Sequence, residues 1–238
     1  MSAPADAGVA AAAEAAVALV NAGARVGLGT GRAATAFVER LAERARAGLD
    51  VSCVATSEAT AARAGGLGLR MIELDETHLL DITVDGADEV APNLNLVKGR
   101  GGAFVRERIV AAASRRQVIV VGPEKLVNAL GETGPVPVEI IPMALGACMR
   151  QLKELGVRPA LRADARRAQP FVSDNGNLVV DVAMASTLLD AAAARAFHAA
   201  LRSIAGVVDT GLFLATAERV LIGHPDGHVD TRWPEKVK

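Results

Sequence analysis

The chain has 238 residues, 51% of them apolar and 22% charged, which excludes intrinsic disorder and allows one large domain or two modest ones with a substantial core. A formal net charge of −1 and only 3% aromatic residues argue against nucleic acid as the main partner, because both a basic field and stacking surfaces are missing. Cys53 and Cys148 lie in apolar stretches without CxxC or metal spacing and are expected as buried, reduced thiols of a cytoplasmic protein.

The Ala-rich start predicts a helix over residues 6–22 closed by Gly23. Glu14 and the lack of a basic leader distinguish it from a secretion signal, and no stretch of membrane-spanning length is free of charge. Residues 25–28 read as a short buried strand, Gly29-Thr30-Gly31 as a turn, and residues 32–47 as a helix. A second strand follows at 51–55, then a helix opened by Thr56-Ser57-Glu58 with Ser57 as N-cap. Residues 69–74, 81–84 and 117–121 are further strands. Short apolar strands alternating with helices predict an α/β fold with a Rossmann-like, mainly parallel sheet flanked by helices.

The rhythm changes after Gly134. A proline-punctuated strand at 135–142 leads to a helix at 144–155, a strand at 157–162, a hairpin turning at Asp174-Asn175-Gly176-Asn177, and a helix at 188–203. This order predicts an inserted, smaller α+β (ferredoxin-like) domain over 135–206, with 1–134 and 207–238 forming the larger domain. Strands at 212–215 and 219–222 then precede a tail expected to be loop-rich through Pro225-Asp226-Gly227.

A strand, a glycine turn and a helix start make an anion site, since free N–H groups and the helix dipole point at the ligand. Gly27-Leu28-Gly29-Thr30-Gly31-Arg32 breaks the dinucleotide pattern GxGxxG, and the P-loop's Gly-Lys-Ser/Thr is missing, so a small phosphate monoester is the better ligand. Arg32 at the helix start would repel the dipole unless an anion were near. Further on, Asp85 and Asp88 follow an apolar strand and should lie at its C-terminal end, where parallel sheets bind ligands. No His stands near them in sequence and Lys98 would compete with a cation, which favours hydroxyl recognition over a metal. Lys98, the first lysine of the chain, sits between an apolar strand and the glycine turn Gly99-Arg100-Gly101-Gly102. Glu107 has Ala103, Phe104, Val110 and Ala111 as its helical neighbours, so no side chain there can pair with it along the helix. Desolvation in such an apolar arc should raise its pKa toward the working pH, as suits a general base. Together these parts suit metal-free abstraction of a proton α to a carbonyl, with an ammonium and backbone N–H groups stabilising the enediolate oxygen.

The motifs GLGTG at 27–31, ATS at 55–57, VDGADE at 84–89, KGRGGA at 98–103 and RER at 106–108 occur with PVEIIPMA at 137–144, DNGN at 174–177, GLF at 211–213 and IGHPDG at 222–227. In order and spacing this series resembles the type A ribose-5-phosphate isomerase family over nearly the whole chain. The resemblance implies interconversion of D-ribose 5-phosphate and D-ribulose 5-phosphate through an enediolate, in the pentose phosphate pathway, without metal or organic cofactor. It implies Glu107 as the base, Asp85 in ring opening and proton handling, and Asp88 and Lys98 on substrate hydroxyls and the developing oxyanion. Thr30, Gly31, Arg32 and Ala33 would hold the phosphate. Gly86, Ala87, Gly99, Arg100, Gly101 and Lys125 would complete the substrate site of a homodimer or homotetramer. Two departures stand out: Gly31-Arg32-Ala33 replaces the family's Gly-Ser-Thr, and Arg100 stands where glycine is usual. The expectation is that Arg32, with Arg100, replaces the missing hydroxyl donors by binding the phosphate bidentately. Three other readings use the same parts: an isomerase of a shifted sugar phosphate, a non-catalytic sugar-phosphate sensor, and a CoA-transferase-like enzyme with a glutamate as nucleophile.

Overall fold

A computed structural model describes residues 4–164, 169–184, 186–188 and 190–234. In chain order the elements are α1 (Pro4–Val17), β1 (Ala24–Leu28), α2 (Arg32–Arg46), β2 (Val51–Ala55), α3 (Glu58–Gly66), β3 (Arg70–Met71) and β4 (Ile82–Asp85). Next come β5 (Glu89–Val90), β6 (Leu96–Val97), α4 (Phe104–Ala112), β7 (Gln117–Val121), β8 (Val136–Ile140), α5 (Leu145–Glu154) and β9 (Arg158–Leu161). Last are β10 (Leu178–Ala183), α6 (Ala191–Arg202), β11 (Val207–Thr210), β12 (Leu212–Phe213), β13 (Arg219–Gly223) and β14 (Val229–Arg232).

The chain divides into two units. The first comprises the residues up to Ala87, Arg106–Leu126 and the residues from Ala215 on. It holds a seven-stranded sheet in the order β14-β13-β7-β4-β1-β2-β3, parallel throughout except for the β13–β14 pair. β4 and β7 are buried along their whole length, as strands covered on both faces must be. α2 buries Ala34, Phe37, Val38, Leu41 and Ala42, a stripe at helical spacing whose last four residues pack in one core with Val26, Leu28, Val84 and Val120. The chain steps outward from β1 through β2 to β3, then returns to place β4 on the other side of β1. That reversal makes the C-terminal ends of β1 and β4 a topological switch point, where open α/β sheets bind ligands.

The tail expected to be loop-rich forms β14 instead, hydrogen-bonded to β13 from Gly223↔Val229 to Val220↔Arg232. Asp230, Thr231 and Arg232 are exposed, so this edge strand is held by backbone pairing and carries no apolar alternation to read.

The second unit comprises Asp88–Val105 and Val127–Leu214. Its four-stranded sheet runs β11-β8-β10-β9, all neighbours antiparallel, with α5 between β8 and β9 and α6 between β10 and β11. That is the β-α-β-β-α-β ferredoxin-like arrangement. Val138, Ile140, Val180 and Val182 pack with Cys148, Leu152 and Leu201 of the two helices. The turn at 173–177 closes through Ser173 N–H donating to Asn177 O at 2.9 Å, with Gly176 at φ 77°. A smaller antiparallel sheet, β12-β6-β5, completes the unit. Among the described residues no helix is long and apolar enough to cross a membrane.

Candidate active site

In the first unit, β1 ends at the glycine turn. Gly29 N–H donates to Val84 O at 2.9 Å, which brings the turn against the end of β4. Asp85 closes β4, is 2% exposed, and accepts from Gly86 N–H at 2.7 Å and Thr30 N–H at 3.2 Å. Its carboxylate lies directly over the Gly29 backbone, where a Cβ would collide with Asp85 Oδ1. Only glycine leaves that room. Gly31 at φ 104° then turns the chain into α2, whose first N–H groups have no intrahelical acceptors. Ala33 lies beside Gly86, where an added methyl would sit 3.6 Å from the Ala33 Cβ.

Thr30 Oγ1 lies 2.8 Å from Thr56 Oγ1, 2.8 Å from Ser57 Oγ and 3.1 Å from Thr60 Oγ1. Thr60 also donates from its hydroxyl to Gly29 O at 3.1 Å, and its N–H donates to the Ser57 Oγ that caps α3. Four hydroxyls therefore cluster beside the turn and the starts of two helices. Of these, only Thr30 was expected as a site residue from sequence. A Thr-Ser-x-x-Thr run directly after a strand is the signal that would have found the others, since such hydroxyls satisfy helix starts and anions alike.

Arg32, expected to need an anion, has the Glu124 carboxylate at 3.3 Å. Lys125 follows in the 3-10 turn Pro123–Lys125. Glu107 is 5% exposed. Its place follows from how α4 lies on the sheet. The helix C-terminus adjoins the start of β4, where Leu80 N–H donates to Ala113 O at 2.8 Å. Its middle rests on β1, where a Cβ at Gly27 would fall 2.6 Å from Val110 Cγ1. Glu107 shares a face with Val110 and stands three residues earlier, about 4.5 Å farther along the helix toward the C-terminal ends of β1 and β4. The first unit thus brings Thr30, Gly31, Ala33, Asp85, Gly86 and Glu107 to one end of its sheet.

The second unit carries Asp88, Lys98, Gly99, Arg100 and Gly101. Asp88 N–H donates to Val97 O at 2.8 Å, and Asp88 Oδ2 accepts from Arg100 N–H at 2.9 Å, so the aspartate spans the glycine turn. Lys98 is 2% exposed, its N–H donates to Gly211 O at 2.8 Å, and its ammonium stands 5.5 Å from the centre of the Phe213 ring. The GLF motif thereby gains a physical reason: Gly211 admits the Lys98 carbonyl, and Phe213 seats the ammonium. The guanidinium of Arg100, expected on the phosphate, donates instead to Thr133 Oγ1 at 2.7 Å and lies 3.6 Å from the buried Glu89 carboxylate. Among the described residues no group of three or more His, Cys, Asp or Glu is placed to hold a metal ion.

The chain is similar to known proteins over nearly its whole length. The family profile of ribose 5-phosphate isomerase A (phosphoriboisomerase A) matches residues 52–227. The ribose-5-phosphate isomerase A of Roseiflexus sp. (strain RS-1) is 45% identical over 225 residues, 94% of each chain. The structure of ribose 5-phosphate isomerase A from Methanocaldococcus jannaschii superposes with a TM-score of 0.88 at 37% identity, covering 94% of this chain and 97% of that one. A D-ribose-5-phosphate isomerase in complex with phospho-erythronic acid gives a TM-score of 0.88 at 32% identity, with the same coverage. The chain belongs to the ribose 5-phosphate isomerase A family.

Proposed function

We propose that the protein interconverts D-ribose 5-phosphate and D-ribulose 5-phosphate by proton transfer between C2 and C1 of the open-chain sugar. The observation that carries this reading is the burial of Glu107, Asp85 and Lys98, at 5%, 2% and 2% exposure. Holding ionisable side chains away from water costs stability, and such groups cluster at functional sites.

In this reading Glu107 takes the C2 proton and returns it to C1. Lys98 balances the negative charge that builds on the enediolate oxygen, helped by backbone N–H groups of the turn at Gly99 and Gly101. Asp85 handles protons at the sugar oxygens, in ring opening and as the proton on O2 passes to O1 between enediolate and ketose, and Asp88 and Lys125 hold hydroxyls, with Gly86 and Ala87 leaving room for the chain of the sugar. The phosphate sits at the start of α2 against Thr30, Gly31, Arg32 and Ala33. Anchoring that remote group lets its binding energy orient the reacting carbons. Arg100 enters only through the backbone of its turn, because its guanidinium is engaged with Thr133 and Glu89. The same reading carries the expectation of a cytoplasmic homodimer or homotetramer, which sedimentation of the purified enzyme checks for assembly.

The test is conversion of ribose 5-phosphate to ribulose 5-phosphate by the purified protein with EDTA present. Turnover supports the isomerase. Saturable binding of the sugar phosphate without turnover would instead make the protein a sensor.

A further inference from the structure

Gly99, Gly101 and Gly102 have no side chains with which to fix the turn after Lys98, so its backbone must be held by neighbours. Gly99 and Gly102 both adopt positive φ, 104° and 83°. Asp88 holds one side of the turn through Arg100 N–H, and a second hold comes from the ferredoxin-like sheet of the same unit. Arg162, directly after β9, donates from Nη1 to Gly99 O at 2.9 Å and to Arg100 O at 3.1 Å. Its other edge meets Asp181 of β10, with Nε donating to Oδ2 at 2.9 Å and Nη2 to Oδ1. The Arg162 side chain is 13% exposed, and its guanidinium stands 5.8 Å from the centre of the Phe171 ring. Phe171 in turn lies under Gly102, where a Cβ would collide with Phe171 Cζ.

We infer that Arg162, aligned by Asp181, is a positioning residue for Lys98, fixing the glycine turn so that the ammonium and the turn's N–H groups stay in place as the enediolate forms. This rests on the reading of Lys98 as the oxyanion partner. Burying an Arg–Asp pair costs more desolvation than apolar side chains of the same volume. The guanidinium is also the one side chain that can fork onto a carboxylate while its remaining N–H groups reach two carbonyls. A lysine at 162, with its three N–H groups on one atom, reaches the two carbonyls or the carboxylate but does not bridge them.

The experiment compares Arg162→Met, Arg162→Lys, Asp181→Asn and Lys98→Met in steady-state kinetics with ribose 5-phosphate. Calorimetric binding of phospho-erythronic acid and of inorganic phosphate accompanies it. Phospho-erythronic acid presents a carboxylate in place of the enediolate oxygens, whereas phosphate reports the anchor alone. A misplaced oxyanion partner costs turnover more than anchoring. Arg162→Met and Arg162→Lys should therefore lose about 30-fold in kcat with KM within about threefold, weaken phospho-erythronic acid about tenfold, and leave phosphate affinity unchanged. Asp181→Asn, which keeps one acceptor for Arg162, should lose about fivefold in kcat with KM unchanged, and it decides the matter if the Arg162 variants do not fold. If kcat stays within twofold of the parent in the variants that fold, or if kcat and phosphate affinity fall together, Arg162 is not a positioning residue. Turnover retained by Lys98→Met would overturn the underlying reading of Lys98, a separate outcome from the first.

Discussion

Arg32 begins α2 at the end where a positive charge is least welcome, and the carboxylate of Glu124 answers it from 92 residues away. Both side chains are about half exposed, so the pair itself contributes little stability and leaves the guanidinium within reach of a ligand. Removing a charge-assisted hydrogen bond to a phosphate costs about 1.5–3 kcal/mol of binding. Arg32→Ala should therefore raise KM for ribose 5-phosphate about 10- to 150-fold while kcat stays within about threefold, as steady-state kinetics would show. An unchanged KM would leave the anchor to the helix start and the hydroxyl cluster. The two cysteines are buried in hydrophobic cores. Burial pushes the Cys53 thiol up to about 12 and raises that of Cys148, which keeps both protonated and poorly nucleophilic at neutral pH.

The turn between β1 and α2 is the element on which the site depends. Gly29 carries Asp85 across its backbone, and Gly31 supplies the positive φ that starts the helix. Gly29→Ala drives a methyl into Asp85 Oδ1, so the variant should lose about 1–3 kcal/mol in chemical denaturation and most of its turnover. A variant that unfolded and turned over like the parent would mean the carboxylate is free to move aside. The strand, the glycines and the N-cap Ser57 were all legible in sequence, because local chain chemistry dictates each of them. The approach of Asp85 to Gly29, 56 residues apart, was not, nor was the convergence of Thr56, Ser57 and Thr60 on Thr30. The two-residue strands β5, β6 and β12 are too short to show a period, yet they seat Lys98 on Phe213.

At the scale of the molecule, alternating apolar strands and helices foretold the parallel sheet, and the β-α-β-β-α order foretold the ferredoxin-like sheet. The edge strand β14 escaped notice because its pairing is in the backbone. Between β7 and β13, at their first residues, Glu218 joins Arg116 (Nε to Oε2, 2.6 Å) and Arg219 (Nη2 to Oε1, 2.5 Å). Burial by itself would raise the Glu218 carboxyl, but the two guanidiniums overcome it and hold the group below its ordinary value of 4.5. A depressed carboxylate stabilises the fold above its unfolded pKa and loses that contribution as pH falls through the folded one. Glu218→Gln should therefore lower stability by about 1 kcal/mol at pH 7, and the difference from the parent should vanish once acid protonates the native carboxyl. Denaturation curves at the two pH values check this; an equal gap at both would remove the charge from the explanation.

The most direct measurement for the whole account is the turnover of Glu107→Gln, an isosteric change that removes only the ability to accept a proton. With the fold intact and phospho-erythronic acid still bound at parental affinity, kcat for ribose 5-phosphate should fall by about 10²–10⁴-fold, the usual share of a positioned general base. A variant that kept most of its turnover would show that another group takes the proton from C2, and the assignment of Glu107 would be wrong.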